Sequence, residues 1–362
     1  MARRSDNIIS IEQYTGITIH DMAMTPIQHA LDRLTAGRDL ESGEAYAAFS
    51  AIMEGGSSQV ETAALLAVLR VKGEAVSEIV GAARAMHERA TRIETVHRGL
   101  LDTCGTGGDQ LQTFNISTAA AFVVAACGVP VPKHGNRGSS NGCGSADVLE
   151  QLGVNINLAP DRVARCIDEL KIGFCFAPLF HAAMKHAAPV RKQLQFRTIF
   201  NLLGPLTNPA RAEFQLVGTS RIETARRLAL ALAELGRPHA YVVCGADQLD
   251  EVSLWGTTSA FEVSGGDLVE HRWTAETFGL PECRVDQLQV DSPTASAHVI
   301  RAAFSGSSGP PRDIVVANAA AGLMAARVAA DPQAAARLAA EAIDSGRARV
   351  LVERLAELSQ RL

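Results

Sequence analysis

Long apolar runs are missing from this sequence of 362 residues, and none approaches the roughly 20 residues that a membrane-spanning helix needs. The first residues, from Met1 to Asp6, also lack the apolar segment of a secretory signal peptide. These absences exclude the membrane-embedded classes. They predict a cytoplasmic protein that has no membrane partner.

Paired cysteines and an excess of positive charge are missing as well. The seven cysteines are scattered and never form a C-x-x-C pair, which argues against a disulfide framework and against a zinc site. Lysine and arginine number 34 against 39 aspartate and glutamate residues, which gives a formal charge of −5. This balance argues against a general nucleic-acid partner, so any phosphate binding has to be local.

The chain divides by texture into three parts. Residues 1–21 mix charge with isolated apolar positions, which predicts a loosely held extension. Apolar residues recur at helical spacing across residues 22–95, which predicts a small helical domain. Residues 96–362 alternate short apolar strands with helices, which predicts an α/β domain with a mainly parallel central sheet. Helical texture returns across about 160–205, and we expect those helices to join the N-terminal helices in space.

A glycine-rich loop follows the apolar strand that begins at Leu100. Its sequence is CGTGGD, from Cys104 to Asp109, and TFNIST, from Thr113 to Thr118, opens the next helix. Glycines let backbone N–H groups approach a phosphate, and the N-terminus of a helix adds a positive field. The pattern is neither a Walker sequence nor a dinucleotide fingerprint. It indicates a phosphate cradle, although a tight turn with an ordinary helix cap is the simpler alternative.

A second polar loop follows the strand that ends at Val131. It runs from Lys133 to Asp147 with the sequence KHGNRGSSNGCGSAD, and its two cations, hydroxyls and four glycines suit a polyanion. Taken singly, the cations also fit solvated charges and His134 fits a packed histidine. Loops at the carboxyl ends of neighbouring parallel strands meet at one edge of the sheet, so the two loops together predict a phosphate-bearing ligand.

Two further segments are ambiguous in isolation. Asp250 and Glu251 follow the strand from Tyr241 to Cys244 and can hold Mg²⁺ through carboxylate oxygens, but they also fit a solvated acidic turn. Arg191 lies in PVRKQL, shortly before FNLLGPLTNP. Its guanidinium can pair with a substrate carboxylate, or it can lie on a basic helix face.

In this order, GTGGD, TFNIST, KHGNR with GSAD, PVRKQL with FNLLGPLTNP, and the DE pair of DQLDEVS closely resemble the anthranilate phosphoribosyltransferases. The resemblance runs from about Asp21 to the C-terminal helices. It implies a nucleoside phosphorylase/phosphoribosyltransferase-like fold and a homodimer. The implied activity is Mg²⁺-dependent transfer of 5-phosphoribosyl from phosphoribosyl pyrophosphate to the amine of anthranilate. The products are N-(5-phosphoribosyl)anthranilate and pyrophosphate, in tryptophan biosynthesis.

The resemblance also implies roles for individual residues. It assigns catalysis to Lys133 and Arg191. It assigns Mg²⁺ to Ser117, Asp250 and Glu251. It assigns anthranilate to Gly105, Asn136 and Arg191, with His134, Pro178, His181 and Met184 along the path of the aromatic acceptor. The residues assigned to phosphoribosyl pyrophosphate are Gly105, Gly108, Asp109, Thr113, Asn115, Ile116, Ser117, Thr118, Lys133, His134, Gly135, Asn136, Arg137, Gly138, Ser139, Ser140, Asn141 and Ser145.

Two other functions stay open at this point. A pyrimidine nucleoside phosphorylase-like enzyme would share the architecture but use free phosphate, so the acidic pair at Asp250 and Glu251 favours the transferase. A noncatalytic nucleic-acid-binding relative is disfavoured by the net charge of −5 and by the same acidic pair.

Overall fold

The computed structural model describes residues 24–138 and 143–362. The predicted extension at residues 1–21 and the predicted ligand contacts of Ser139, Ser140 and Asn141 lie outside the described residues.

The N-terminal helices begin at local capping signals. Thr25 accepts a hydrogen bond of 3.2 Å from the backbone N–H of Gln28, and Ser58 accepts one of 3.2 Å from that of Glu61. In both pairs the longer side chain bonds back to the cap residue, which completes a capping box. The helices are α1 (Pro26–Thr35), α2 (Ser42–Met53), α3 (Gln59–Lys72) and α4 (Val76–Glu88).

Within the described residues, the central sheet contains β1 (Leu101–Gly105), β4 (Phe214–Gly218), β5 (His239–Cys244), β6 (Thr258–Ser264) and β7 (Asp267–Trp273), in that spatial order. The first three run parallel, whereas β6 and β7 are antiparallel and form a hairpin. Beside β1, a parallel pair is formed by β2 (Val131–Gly135) and β3 (Ile172–Phe176). The predicted α/β fold is confirmed, and the hairpin makes its sheet mixed.

Helices surround the sheet, and one of them is central to the core. They are α5 (Ile116–Ala126), α6 (Ser145–Gln151), α7 (Pro160–Leu170), α8 (Ala177–Phe180), α9 (Ala188–Leu194), α10 (Phe200–Leu203), α11 (Ile222–Glu234), α12 (Pro293–Phe304), α13 (Pro310–Ala325), α14 (Pro332–Asp344) and α15 (Arg347–Arg361). Every residue of α13 from Ile314 to Ala325 is buried, so it is a core helix and packs against α5. No helix of the described residues is long and apolar enough to cross a bilayer.

The helices expected across about 160–205 are present, but a strand that was not predicted lies between them. Residues Ile172–Phe176 form the fully buried strand β3, and α7 packs on that strand. Short apolar runs of this kind cannot be assigned to strand or helix from periodicity alone. Further along, α9 contacts α3, and Ile199 and Leu203 share a buried cluster with Phe49 and Leu66 of the helical part. The domain boundaries themselves stay a prediction.

Candidate active site

The glycine loop after β1 is tied directly to the acidic pair after β5. The backbone N–H of Gly107 donates to a carboxylate oxygen of Asp250 at 2.8 Å. The backbone N–H of Ser117, in the first turn of α5, donates to a carboxylate oxygen of Glu251 at 2.9 Å. These contacts bring three sequence-predicted features together at the carboxyl end of the parallel strands.

Close backbone packing explains the glycines at this edge. A β-carbon on Gly105 would lie 2.6 Å from a carboxylate oxygen of Asp250, and one on Gly218 would overlap the carbonyl oxygen of the same residue. Gly107 and Gly108 have φ angles of 67° and 92°, which side chains rarely adopt. Asp250 can therefore approach β1 and β4 this closely only because Gly105 and Gly218 have no side chain.

The electrostatics of the acidic pair suit a cation. Burial raises the pKa of Asp250, and the neighbouring Asp109 adds to the increase. Burial also raises the pKa of Glu251, with Asp250 adding to it and Lys133 opposing it. Crowded carboxylates of this kind are stabilised by a hard divalent ion, which prefers oxygen ligands.

The protein itself supplies few ligands for such an ion. Residues 24–138 and 143–362 contain no group of three or more His, Cys, Asp or Glu side chains arranged to hold a metal. This donor set fits Mg²⁺, which usually keeps several waters and binds through one or two carboxylates together with substrate phosphates.

Lys133 and His134 lie in β2, which continues to Gly135, so the predicted start of the second loop at Lys133 is wrong. The two residues bind β2 to β1. Lys133 is 3% exposed, and its ammonium donates to the carbonyl oxygen of Thr103 at 2.6 Å. The backbone N–H of His134 donates to the buried Asp102 carboxylate at 3.1 Å. Burial lowers the pKa of Lys133, while the nearby Asp102 carboxylate favours its charged form. The cation is thus held at the sheet edge, on the side of Glu251.

Other residues of the second loop are engaged within the loop and with α6. Arg137 forms ion pairs with Asp147 at 2.8 Å and with Glu150 at 2.6 Å. The backbone N–H of Gly138 donates to Asp147 at 2.9 Å, and the backbone carbonyl of Asn136 accepts from Ala146 at 3.2 Å. Their predicted contacts with a phosphate stay predictions, and Arg137 already has two carboxylate partners.

The helix-start residues have mixed surroundings. The Asn115 amide donates to the carbonyl of Cys143 at 2.9 Å and accepts from the hydroxyl of Ser296 at 2.9 Å, so it connects the two predicted loops. Ile116 is 1% exposed and belongs to the core, and the buried Thr118 hydroxyl has no partner among the described residues. Ile116 can therefore bind a ligand only through its backbone, because its side chain is buried in the core.

The acceptor-side residues form two groups. The Arg191 guanidinium lies 5.3 Å from the ring centroid of Phe200, and burial lowers its pKa. No carboxylate of the described residues lies within 4.0 Å of it, so its fork is free for an acidic ligand. His134 and His181 pack with their ring centroids 5.1 Å apart. Pro178, on the exposed side of α8, and the half-buried Met184 lie in the segments next to His181.

Arg197 also lies at this edge, although no sequence motif singles it out. Its guanidinium donates to the carbonyl oxygen of Thr106 at 2.8 Å and lies against the bare α-carbon of Gly108. The only local signal is a third cation in the segment after Pro189. Nothing in the spacing shows that it returns to a loop about ninety residues earlier.

The comparisons with known proteins agree with this geometry. Residues 97–349 match the model of a glycosyl transferase family a/b domain, and residues 28–90 match that of a glycosyl transferase family helical bundle domain. The chain is 48% identical over 335 residues to the anthranilate phosphoribosyltransferase of Desulforudis audaxviator, which covers 92% of this chain and 97% of that one. It is 49% identical to that of Moorella thermoacetica, over 88% and 94% of the two chains.

The chain belongs to the anthranilate phosphoribosyltransferase family. Among solved structures it is similar to the family member from Thermus thermophilus, with a TM-score of 0.87, 41% identity and coverage of 93% and 100% of the two chains. It is also similar to the Saccharomyces cerevisiae anthranilate phosphoribosyltransferase in complex with PRPP and Mg, with a TM-score of 0.86, 26% identity and coverage of 95% and 100%. The predicted family and fold are confirmed, whereas the roles of the individual residues stay predictions.

Proposed function

We propose that this protein transfers 5-phosphoribosyl from phosphoribosyl pyrophosphate to the amine of anthranilate and requires Mg²⁺. The products are N-(5-phosphoribosyl)anthranilate and pyrophosphate, in tryptophan biosynthesis. The observation that carries the proposal is the pair of contacts from Gly107 to Asp250 and from Ser117 to Glu251, which unites a phosphate cradle with two carboxylates.

Three sets of residues carry the proposed roles. Ser117, Asp250 and Glu251 would hold Mg²⁺, which would supply positive charge to stabilise the departing pyrophosphate. Asn136 and Arg191 hold anthranilate near Gly105. The glycine loop, the first turn of α5 and the described second-loop residues hold phosphoribosyl pyrophosphate through Gly105, Gly108, Asp109, Thr113, Asn115, Ile116, Ser117, Thr118, Lys133, His134, Gly135, Asn136, Arg137, Gly138 and Ser145.

The reaction breaks the bond between ribose C1 and the pyrophosphate oxygen, and it forms a bond from C1 to the anthranilate nitrogen. The electron pair of the broken bond leaves with pyrophosphate. Lys133 and the N–H groups of the loops stabilise that negative charge, which is the main contribution of this site. Arg191 and Asn136 orient anthranilate so that its amine faces C1. The aromatic amine is largely unprotonated near neutral pH and releases its proton after attack, so no strong general base is required.

Fluorescence tests the proposal directly. Anthranilate emission is expected to fall when the protein, phosphoribosyl pyrophosphate and Mg²⁺ are combined, and to stay constant when EDTA removes the metal. Asp250→Asn and Glu251→Gln are expected to lower turnover about 100-fold or more, as does the loss of a group that stabilises developing charge. Lys192→Ala, at an exposed position outside the proposed machinery, serves as the control.

Two results would contradict the proposal. Anthranilate consumption that does not depend on Mg²⁺ would contradict the metal requirement. Phosphate-dependent release of a pyrimidine base from a nucleoside, without any anthranilate transfer, would contradict the transferase and favour the phosphorylase alternative.

A homodimer and a cytoplasmic location are also proposed. The support for both is the likeness to the family, and exposed apolar side chains such as Val60 and Val71 of α3 provide apolar surface for an interface. Light scattering on the purified protein is expected to give twice the monomer mass of 38.3 kDa.

A further inference from the structure

The side-chain amide of Asn318 forms two hydrogen bonds with the backbone of Val252, the residue that follows the acidic pair. Its side-chain oxygen accepts from the backbone N–H of Val252 at 2.8 Å, and its amide nitrogen donates to the carbonyl oxygen of Val252 at 3.0 Å. The same nitrogen donates to the carbonyl of Ile314 at 2.9 Å. Asn318 is 0% exposed and lies in the middle of α13, so water does not compete for these bonds.

Val252 needs such a partner because it lies between strands. β5 ends at Cys244 and β6 begins at Thr258, so its backbone belongs to neither strand, although Val252 is itself 0% exposed. Buried backbone N–H and C=O groups without hydrogen-bond partners cost free energy. The Asn318 amide supplies the hydrogen bonds that a neighbouring strand would otherwise make to Val252. Pairing both polar groups of Val252 restricts rotation of the backbone on either side of it. That restriction fixes the direction in which the preceding residue, Glu251, projects.

The helix α13, which contains Asn318, also packs against α5, whose first turn binds Glu251. One turn after Asn318, a β-carbon on Gly322 would lie 3.0 Å from the side chain of Val124 on α5, so α13 and α5 pack at close range. The first turn of α5 contains Ser117, whose backbone N–H donates to Glu251. A single core helix therefore holds both the carboxylate-bearing segment and the helix start that binds it.

We propose that Asn318 is a positioning residue that orients the Glu251 carboxylate and thereby sets the affinity of the site for its divalent cation. It touches neither substrate nor metal and acts through Val252. The inference rests on the proposed function, because it assigns Asn318 a role only through the metal-holding pair.

The replacement Asn318→Asp separates positioning from packing, because the side chain keeps its size. One carboxylate oxygen can still accept from Val252, but the other then faces the carbonyl oxygens of Val252 and Ile314 without a proton to donate. Asn318→Ser removes the reach to Val252 and is the second variant. The matched control is Ser359→Ala, because Ser359 is also 0% exposed and its hydroxyl accepts from the backbone N–H of Asn155 at 3.0 Å, in a different part of the fold.

Two measurements other than activity test the role. Deuterium exchange of a peptide that contains Val252, in the metal-free protein, is expected to accelerate at least tenfold in both Asn318 variants and not in Ser359→Ala. Electron paramagnetic resonance of Mn²⁺ with phosphoribosyl pyrophosphate present is expected to show at least tenfold weaker binding in both variants. The KM for anthranilate is expected to stay within twofold of the wild type.

Each remaining outcome decides against the proposal in a distinguishable way. Folded Asn318 variants with wild-type Mn²⁺ affinity overturn the positioning role while the wild type still transfers phosphoribosyl. Failure of both variants to fold assigns Asn318 to the fold and overturns the specific role. A wild type without metal-dependent transfer overturns the proposed function, and the positioning role with it.

Discussion

The Nε2 atoms of His134 and His181 lie 3.2 Å apart, and only one of them carries the proton between them. Nδ1 of His134 lies 3.1 Å from the carbonyl oxygen of Gly204, which can only accept, so that nitrogen carries a proton. In a neutral His134 the Nε2 atom is then the acceptor, and His181 donates to it. Nδ1 of His181 is left as a buried acceptor without a partner among the described residues.

This pair predicts a pH dependence of stability. The pKa of His181 is lowered to about 3, chiefly by burial and to a smaller extent by the neighbouring His134 and His87. A histidine in the unfolded chain titrates near pH 6.5, so below that pH the unfolded state binds more protons and stability falls. Between pH 7.5 and pH 5.5, the free energy of unfolding of the wild type is expected to fall by about 1.4 kcal/mol more than that of His181→Asn. Chemical denaturation at the two pH values measures this difference.

The control for this experiment is His298→Asn, which changes an exposed histidine on α12. It is expected to keep the wild-type pH dependence. Parallel profiles for the wild type and His181→Asn would show that the buried ring of His181 is not responsible.

Arg191→Ala is expected to impair the use of anthranilate more than the use of phosphoribosyl pyrophosphate. Its guanidinium has no carboxylate of the described residues within 4.0 Å, and a bidentate pair with a substrate carboxylate contributes about 1.5–3 kcal/mol. The KM for anthranilate should therefore rise about 10-fold to 100-fold, with a smaller change in the KM for phosphoribosyl pyrophosphate.

Two comparisons make the Arg191 test specific. Arg191→Lys is expected to recover little, because an ammonium cannot form the planar fork. Lys192→Ala changes the adjacent exposed cation and is expected to leave both KM values unchanged. Equal increases in both KM values for Arg191→Ala would remove Arg191 from the acceptor site.

How much the sequence could predict depends on the distance between partners along the chain. The glycine loop, the start of α5 and the acidic pair are each encoded in a few adjacent residues, and strand ends of a parallel sheet bring them together. The contacts from Arg197 to Thr106 and from Asn318 to Val252 join positions 91 and 66 residues apart, and no local pattern encodes them. Arg137 pairs with Asp147 and Glu150, which are nearer in sequence. Both lie on α6, so predicting these ion pairs in place of a phosphate contact requires knowing where α6 packs.

Strand assignment had a different limit. β3 is a run of five buried apolar residues between helices, and such a run fits either structure. The hairpin of β6 and β7 turns at Gly265 and Gly266, both with positive φ, and two glycines between alternating strands are a recognised hairpin signal. The antiparallel edge of the sheet was therefore predictable from local sequence, whereas β3 was not.

Gly218→Ala is expected to lower turnover strongly through a steric effect alone. The new methyl group would overlap the carbonyl oxygen of Asp250, which is a backbone atom and cannot rotate away. The acidic pair has to shift, so turnover is expected to fall about 100-fold or more, as when a charge-stabilising group is lost. Steady-state kinetics at saturating substrate measure this effect.

The matched glycine control is Gly43→Ala in α2. No atom lies within 4 Å of a β-carbon built there, and the φ angle is ordinary for a helix. Turnover should be unchanged. The midpoint temperature of thermal unfolding should be unchanged or slightly higher, since alanine favours a helix by roughly 0.5–1 kcal/mol over glycine. A Gly218→Ala protein with normal turnover would show that the acidic pair need not keep this position.

Arg197→Gln is expected to weaken the use of phosphoribosyl pyrophosphate selectively. The guanidinium holds the carbonyl of Thr106 at 2.8 Å and covers Gly108, so it fixes the loop whose N–H groups face the proposed phosphate site. Arg197 is exposed, so the loss of this charge-assisted hydrogen bond costs less than the roughly 1.5–3 kcal/mol of a shielded one, and a rise of at most about tenfold in that KM is expected. The KM for anthranilate should change less than twofold, because Arg191 is untouched. The opposite pattern, with only the anthranilate KM raised, would assign Arg197 to the acceptor side. It would also show that Arg197 does not fix the glycine loop for phosphate binding.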